Sequence, residues 1–422
     1  MSAYLRRILD EDLRRALRTF GAVILQGPRA VGKTTTALSI AASVVRLDES
    51  PEVASLASLS PSTVLTGPTP RLVDEWQLAP QLWNAVRHEV DRRGLPGQFV
   101  LTGSATPADD VTHHSGAGRF KRLTLRPMTL FESGESVGAI DFASLFSTST
   151  VGAVGGPTVE GYAALIVRGG WPALVRDPDR DATEYLSSYL DDVARVDLPN
   201  NDIRVDPLRM RALIRALARN TATEVSANRL SREAEIEEPS SAPNGVSPQS
   251  VRKYLDALTR VFVLEELPAW APHLRSKVRL RVGPKWHFID PSLAAAALGA
   301  GAAPLLSDLN TLGLLFESLC VRDLRVYAER VGATVYHYRD ETDLEVDCIV
   351  ETSSGAWAAF EVKLGGERHI EQAASSLKKL AAKVSEGRQE GLASLNVLTA
   401  GKVSYTRPDG VNVIALGHLR AD

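Results

Sequence analysis

Short apolar runs alternate along the chain with longer stretches of helical spacing. Residues 4–18 place apolar positions on one side of a polar, arginine-rich face and predict an amphipathic helix. Ala22-Val23-Ile24-Leu25-Gln26 follows as a strand-like run, then GPRAVGKTTTALSIAAS, a glycine-punctuated turn that passes into a helix. Val44 to Leu47, Leu72-Val73 and Phe99-Val100-Leu101 predict three more strands, with a helix from about Ala79 to Arg93 before the last. Strands alternating with helices predict a parallel α/β sheet over residues 20–130.

The pattern then changes. Residues 133–158 are small and Ser/Gly/Thr-rich, which predicts a surface connection. Helical spacing returns from Val159 to Ala234, broken at Gly169-Gly170-Trp171-Pro172. Glu237 to Val246 reads as a loop, and Ser247-Pro248 is suited to cap and open a helix running to Arg260. The apolar run Val261 to Leu264 follows, and after about residue 305 a long helix and alternating strands predict a further α/β unit. The predicted divisions are 1–135, a linker and helical region 136–205, a three-helix, winged-helix-like region 206–290, and a C-terminal unit 300–422.

The chemistry concentrates first in Gly27-Pro28-Arg29-Ala30-Val31-Gly32-Lys33-Thr34, which fits G-x-x-x-x-G-K-[ST] in full, with Thr35 next. Glycines let successive backbone N–H groups converge on phosphates, Lys33 reaches the terminal phosphates, and the Thr34 hydroxyl is a Mg²⁺ ligand. ATP and Mg²⁺ are therefore the expected cofactors. Asp74 is the candidate second acidic partner of the metal and Glu75 the candidate base for the attacking water. Thr102 or Ser104, at the end of the next strand, would sense the γ-phosphate. Arg119, in SGAGRF, reads either as an arginine finger or as a surface arginine.

GPRAVGKT, LVDE, LTGS and SGAGRF together resemble a large prokaryotic family of AAA-type predicted ATPases. Members join an N-terminal ATPase domain to a C-terminal region of poorly defined function, often restriction-endonuclease-like. The resemblance implies an ATPase of the AAA lineage and little about its biological task; coupling of the energy to DNA or a protein partner is the expectation, with RNA a further candidate partner. Arg119 as a finger in trans would require a homo-oligomer.

Two later segments add candidates. Arg252 and Lys253 lie on the third helix of the middle region, and Arg275, Lys277, Arg279 and Arg281 recur every second residue before Lys285. Between Arg275 and Lys285 there are five basic and no acidic residues, which suits a phosphate backbone or an edge strand protected by charge. Asp347 lies fourteen residues before Glu361. With Lys363 it has the spacing of the PD-(D/E)xK nuclease core, in which Asp347 and Glu361 would hold Mg²⁺ and Lys363 would orient water. Glu317, on an otherwise apolar helix face, needs a partner, either a metal or Lys363. Gln372 is placed to support such a site. The alternative is a nucleotide-gated DNA- or protein-binding regulator with little turnover and an inactive nuclease-like scaffold.

Composition narrows the field. The formal charge is -3, so no polybasic coat is present, yet 38 of the basic residues are Arg and only 10 Lys. A retained lysine is thus the more informative residue. Two cysteines, Cys320 and Cys348, form no disulfide framework. The first residues lack an apolar core of a signal peptide, and no run spans a bilayer, which leads to the expectation of a cytoplasmic protein without a membrane partner.

Overall fold

A computed structural model describes residues 4–104, 116–147, 150–198, 206–234, 246–271, 282–384 and 389–421. Five parallel strands form the first sheet: β1 (Ala22–Gln26), β2 (Ser43–Arg46), β3 (Arg71–Asp74), β4 (Phe99–Gly103) and β5 (Phe120–Thr124), in the order β2-β3-β4-β1-β5. Ala22, Ile24, Val73 and Leu101 pack on one face with Trp76 and Trp83. Val23, Leu25, Leu72 and Val100 pack on the other with Leu13 and Leu17. Burial on both faces explains why these strands read as continuous apolar runs and not as alternation. The first helix spans Leu9–Thr19, starting later than its pattern predicts. Arg7 is instead drawn beneath the phosphate loop, donating to Val31 O (3.1 Å) and Arg126 O (2.5 Å) and pairing with Glu132 at 3.1 Å.

The predicted surface connection at 133–158 is integral to the fold. It contains β6 (Ile140–Asp141), a turn of 3-10 helix at Phe142–Phe146 and β7 (Gly152–Val154), with Phe142 and Leu145 buried. Helices Val159–Arg168, Pro172–Arg176 and Ala182–Asp192 follow, the last running into a π-helical turn at Val193–Asp197. Helices Pro207–Arg219, Ala227–Glu233 and Pro248–Arg260 come next, the third capped by Ser247 with Pro248 in its first turn. They lead to an antiparallel pair, β8 (Leu264–Leu267) and β9 (Lys285–Phe288).

The second large sheet comprises β10 (Ala333–Arg339), β11 (Glu345–Thr352), β12 (Trp357–Lys363), β13 (Leu392–Thr399), β14 (Val403–Thr406) and β15 (Asn412–Ala415), in the order β10-β11-β12-β13-β15-β14-β7. Helix Leu309–Arg330 precedes β10, and helix Glu367–Lys383 makes the crossover between the parallel pair β12 and β13. β16 (Leu419–Arg420) pairs with β6. One hydrophobic core runs from Leu130 through the middle helices to Leu419. Among the described residues no helix is long and apolar enough to cross a membrane.

Candidate functional site

Parallel strands bring their C-terminal ends to one edge, and there the predicted ATPase residues meet. Gly27 (φ 149°), Ala30 (φ 59°) and Gly32 (φ 100°) have positive φ, which folds the loop into a nest of backbone N–H groups. A Cβ on Gly27 would stand 2.2 Å from Leu125 O, so only glycine fits. Lys33 is buried, and its ammonium donates to Gly27 O (3.0 Å) and Pro28 O (2.7 Å). Burial pushes its pKa down to about 8, against the opposing pull of Glu75 and Asp74.

Thr34 Oγ1 donates to Asp74 Oδ1 at 2.9 Å, and Thr102 Oγ1 donates to the same oxygen. The order β3-β4-β1 makes this possible, because β4 lies between the loop strand and the acidic strand and delivers Thr102 to the seam. A hydroxyl and a carboxylate side by side are hard oxygen donors of the kind Mg²⁺ takes, so the residues fit the ion. Glu75 has a left-handed backbone (φ 55°), and its carboxylate accepts from Gln77 Nε2 and, at 3.5 Å, from Ser104 Oγ.

Arg29 turns away from the loop to an ion pair with Asp197, at the end of the π-helical turn. Asp197 gave no sign in the sequence, because its partner lies 168 residues away. Arg119 lies apart from the other candidates. It precedes β5, at the end of the sheet opposite the phosphate loop, and bonds Asp91 at 2.6 Å. It therefore does not reach the phosphate site of its own subunit.

The C-terminal acids converge, but around an ammonium. Asp347 Oδ2 accepts from the Val362 amide at 2.8 Å. Lys363 Nζ lies 2.9 Å from Glu361 and 3.6 Å from Asp347. Lys285, only 2% exposed, reaches in from β9 to Glu317 (2.9 Å), Glu345 (2.7 Å) and Asp347 (3.7 Å). Two expectations are overturned. Lys285 is a buried counter-ion and not a nucleic-acid contact, and the partner of Glu317 is Lys285 rather than Lys363. Burial, with Asp347 adding to it, raises the Glu317 carboxyl to about 7. Burial likewise raises Glu361, while Lys285 and Lys363 hold Asp347 below its ordinary range. A cavity of about 840 Å³ opens over Asp347, Glu361, Lys363, Gln372 and Lys379. Among the described residues no group of three or more His, Cys, Asp or Glu side chains is arranged to hold a metal ion. The expected metal set of Glu317, Asp347 and Glu361 does not fit, because two ammonium groups already balance these carboxylates, Lys285 at Glu317 and Asp347 and Lys363 at Glu361 and Asp347. Cys320 and Cys348 are buried free thiols in the core.

Arg252 and Lys253 are exposed on helix Pro248–Arg260, whose other side buries Val251, Tyr254, Leu255 and Leu258. Arg275, Lys277, Arg279 and Arg281 lie outside the described residues.

Residues 19–133 match an AAA domain model, residues 159–303 a domain of unknown function (DUF8612), and residues 312–419 a second one (DUF4143). The uncharacterized proteins Mb2031c of Mycobacterium bovis and Rv2008c of Mycobacterium tuberculosis are each 27% identical over 363 residues, covering 85% of this chain and 74% of theirs. Among solved structures, the Walker-type ATPase PABY2304 of Pyrococcus abyssi aligns at 14% identity and a TM-score of 0.40, over 68% of this chain and 94% of its own. The Aeropyrum pernix ORC1 protein in complex with DNA aligns at 14% identity and a TM-score of 0.26, over 71% and 92%. The AAA-domain match, on the segment that carries the phosphate loop, supports an AAA-type ATPase family.

Proposed function

We propose that the chain is a Mg²⁺-dependent ATPase whose turnover is coupled to nucleic acid through its middle region. The observation that carries this reading is the convergence of Lys33, Thr34, Asp74, Glu75 and Thr102 at one sheet edge. Lys33 and the loop amides bind and orient the phosphates. Thr34 and Asp74 would hold Mg²⁺, which neutralises phosphate charge. Thr102 fixes the Asp74 carboxylate. Glu75 orients water and accepts its proton, and Gln77 and Ser104 hold that carboxylate in place. Three helices followed by an antiparallel strand pair support a winged-helix reading of the middle, with Arg252 and Lys253 on its exposed helix face as phosphate contacts.

The helix, three antiparallel strands, crossover helix and parallel strand of residues 309–399 support a restriction-endonuclease-like reading of the C-terminal unit. Lys285 among the carboxylates favours a scaffold over a metal-dependent nuclease. Mg²⁺-dependent ATP turnover of the purified protein, with and without duplex DNA, tests the proposal. Lys33→Ala is expected to abolish nucleotide binding, and Glu75→Gln to abolish turnover while retaining binding. Turnover at wild-type rate in either variant sinks that residue's assignment. Incubation of DNA with Mg²⁺ or Mn²⁺, against a Glu361→Ala/Lys363→Ala control, is expected to leave both samples uncut. Cleavage by the wild type alone would overturn the scaffold reading.

A further inference from the structure

The phosphate loop carries a second cation, and it is already engaged. Arg29 is the third residue of the loop, between Pro28 and the positive-φ Ala30, so its side chain leaves the backbone from the tip of the phosphate nest. Its guanidinium pairs with Asp197, an acid whose side chain is only 10% exposed while that of Arg29 is 52% exposed. Asp197 closes the π-helical turn that continues helix Ala182–Asp192. The same helix touches the loop a second time, where the Tyr189 hydroxyl meets the Arg29 backbone. A cavity of about 660 Å³ opens here, lined by Arg29, Ala30, Tyr185, Tyr189, Asp192 and Asp197.

The charges around this pair bear on what it does. Burial raises the Asp197 carboxyl and Arg29 holds it down, while Glu75 and Lys33 are near enough to act on it as well. Arg29 and Asp197 in turn act on Lys33. The pair is therefore coupled electrostatically to Lys33 and Glu75, two of the residues that the proposed function sets at the terminal phosphate. A triphosphate brings added negative charge to that place, and a diphosphate does not. Asp197 would repel this charge and Arg29 would attract it, and one guanidinium on a rotatable stem serves either anion.

We infer that Arg29 is the residue that distinguishes ATP from ADP, exchanging its ion pair with Asp197 for one with the γ-phosphate. The exchange frees the Asp197 turn from the loop, so nucleotide state is passed to the helical middle region by a single side chain. No bond is made or broken, and the discrimination is one of binding. This inference rests on the ATPase reading and names the regulation of the same site.

The test is the ratio of ADP to ATP dissociation constants, measured on the full chain with Mg²⁺, a fluorescent ADP and a fluorescent non-hydrolysable ATP analogue. Arg29→Ala is expected to lower the preference for the triphosphate about tenfold, a charge-assisted pair being lost from one ligand only. Asp197→Asn is expected to raise it several-fold, as the competing anion is removed. Arg29→Lys should restore part of the preference, and in the Arg29→Ala background Asp197→Asn should lose most of its effect. A merely structural ion pair would move both affinities together and leave the ratio unchanged. That result, in variants that melt like the wild type, would overturn the inference while the ATPase reading stands. Failure of the wild type to bind either nucleotide would overturn both.

Discussion

Replacing Lys285 by Met removes an ammonium and leaves a side chain of similar length among Glu317, Glu345 and Asp347. Glu317 and Asp347 are buried, and each loses a cation within 3.7 Å. Breaking a buried pair by removing one partner costs about 3–5 kcal/mol. Glu345, with 41% of its side chain exposed, adds little to that. The lower figure, about 3 kcal/mol, is therefore expected near neutral pH. The pH dependence is sharper than the size. Glu317 titrates near 7 in the folded protein, above its ordinary value of 4.5, so its contribution falls as pH rises between those values and then levels. Without Lys285 its pKa rises further, and the decline continues above pH 7 at up to about 1.4 kcal/mol per unit. Urea unfolding of both proteins, followed by tryptophan fluorescence at about pH 6, 7 and 8, reads this directly. Adding Glu317→Gln to the variant should level its profile again. A loss below about 1 kcal/mol, or parallel profiles for wild type and variant, would refute a central role for the ammonium in this cluster.

The loop lysine makes a second pH prediction. Lys33 titrates near 8 before phosphate arrives, so ATP affinity should fall about tenfold per pH unit above that value, as titration calorimetry in buffers of different ionisation enthalpy would show. A flat affinity to pH 9.5 would remove the buried-lysine account. Gly27→Ala should abolish nucleotide binding, because its Cβ would meet Leu125 O at 2.2 Å where φ is 149°. Normal binding by that variant would show that the loop can be rebuilt. Arg252→Ala/Lys253→Ala should weaken DNA binding and reduce its salt slope by about 2, and an unchanged slope would place the DNA contact elsewhere.

The phosphate site was legible because its residues are local. Glycine spacing, one lysine and one threonine fall within eight positions, and the strand ends that supply Asp74 and Thr102 follow short apolar runs. Asp347, Glu361 and Lys363 were legible as a cluster for the same reason, since two adjacent strands of period two bring them together. What occupies that cluster was not. Lys285 sits at the end of a basic run in the sequence and in the middle of carboxylates in the fold, and no local pattern distinguishes the two settings. Glu345, two residues before Asp347 on the same strand face, was the available clue that one more charge had to be balanced. Arg119 could not be placed, because a glycine-rich context says nothing about which end of a parallel strand it precedes. Residues 133–158 hid their strands because two- and three-residue pairings leave no periodicity.

Those short pairings bear on how the chain is made. Ser136 Oγ donates to Gly417 O across 281 residues of sequence, and β7 completes an edge whose other strands all follow residue 330. On a ribosome, this segment emerges long before anything it can pair with, whereas the five-stranded sheet ahead of it is complete once residue 124 is out. The nucleotide-binding part can therefore close early, while the second sheet must wait for nearly all of the remaining chain. A fragment cut at residue 300 would carry β10 to β16 without β6 and β7, leaving β14 as a bare edge open to aggregation.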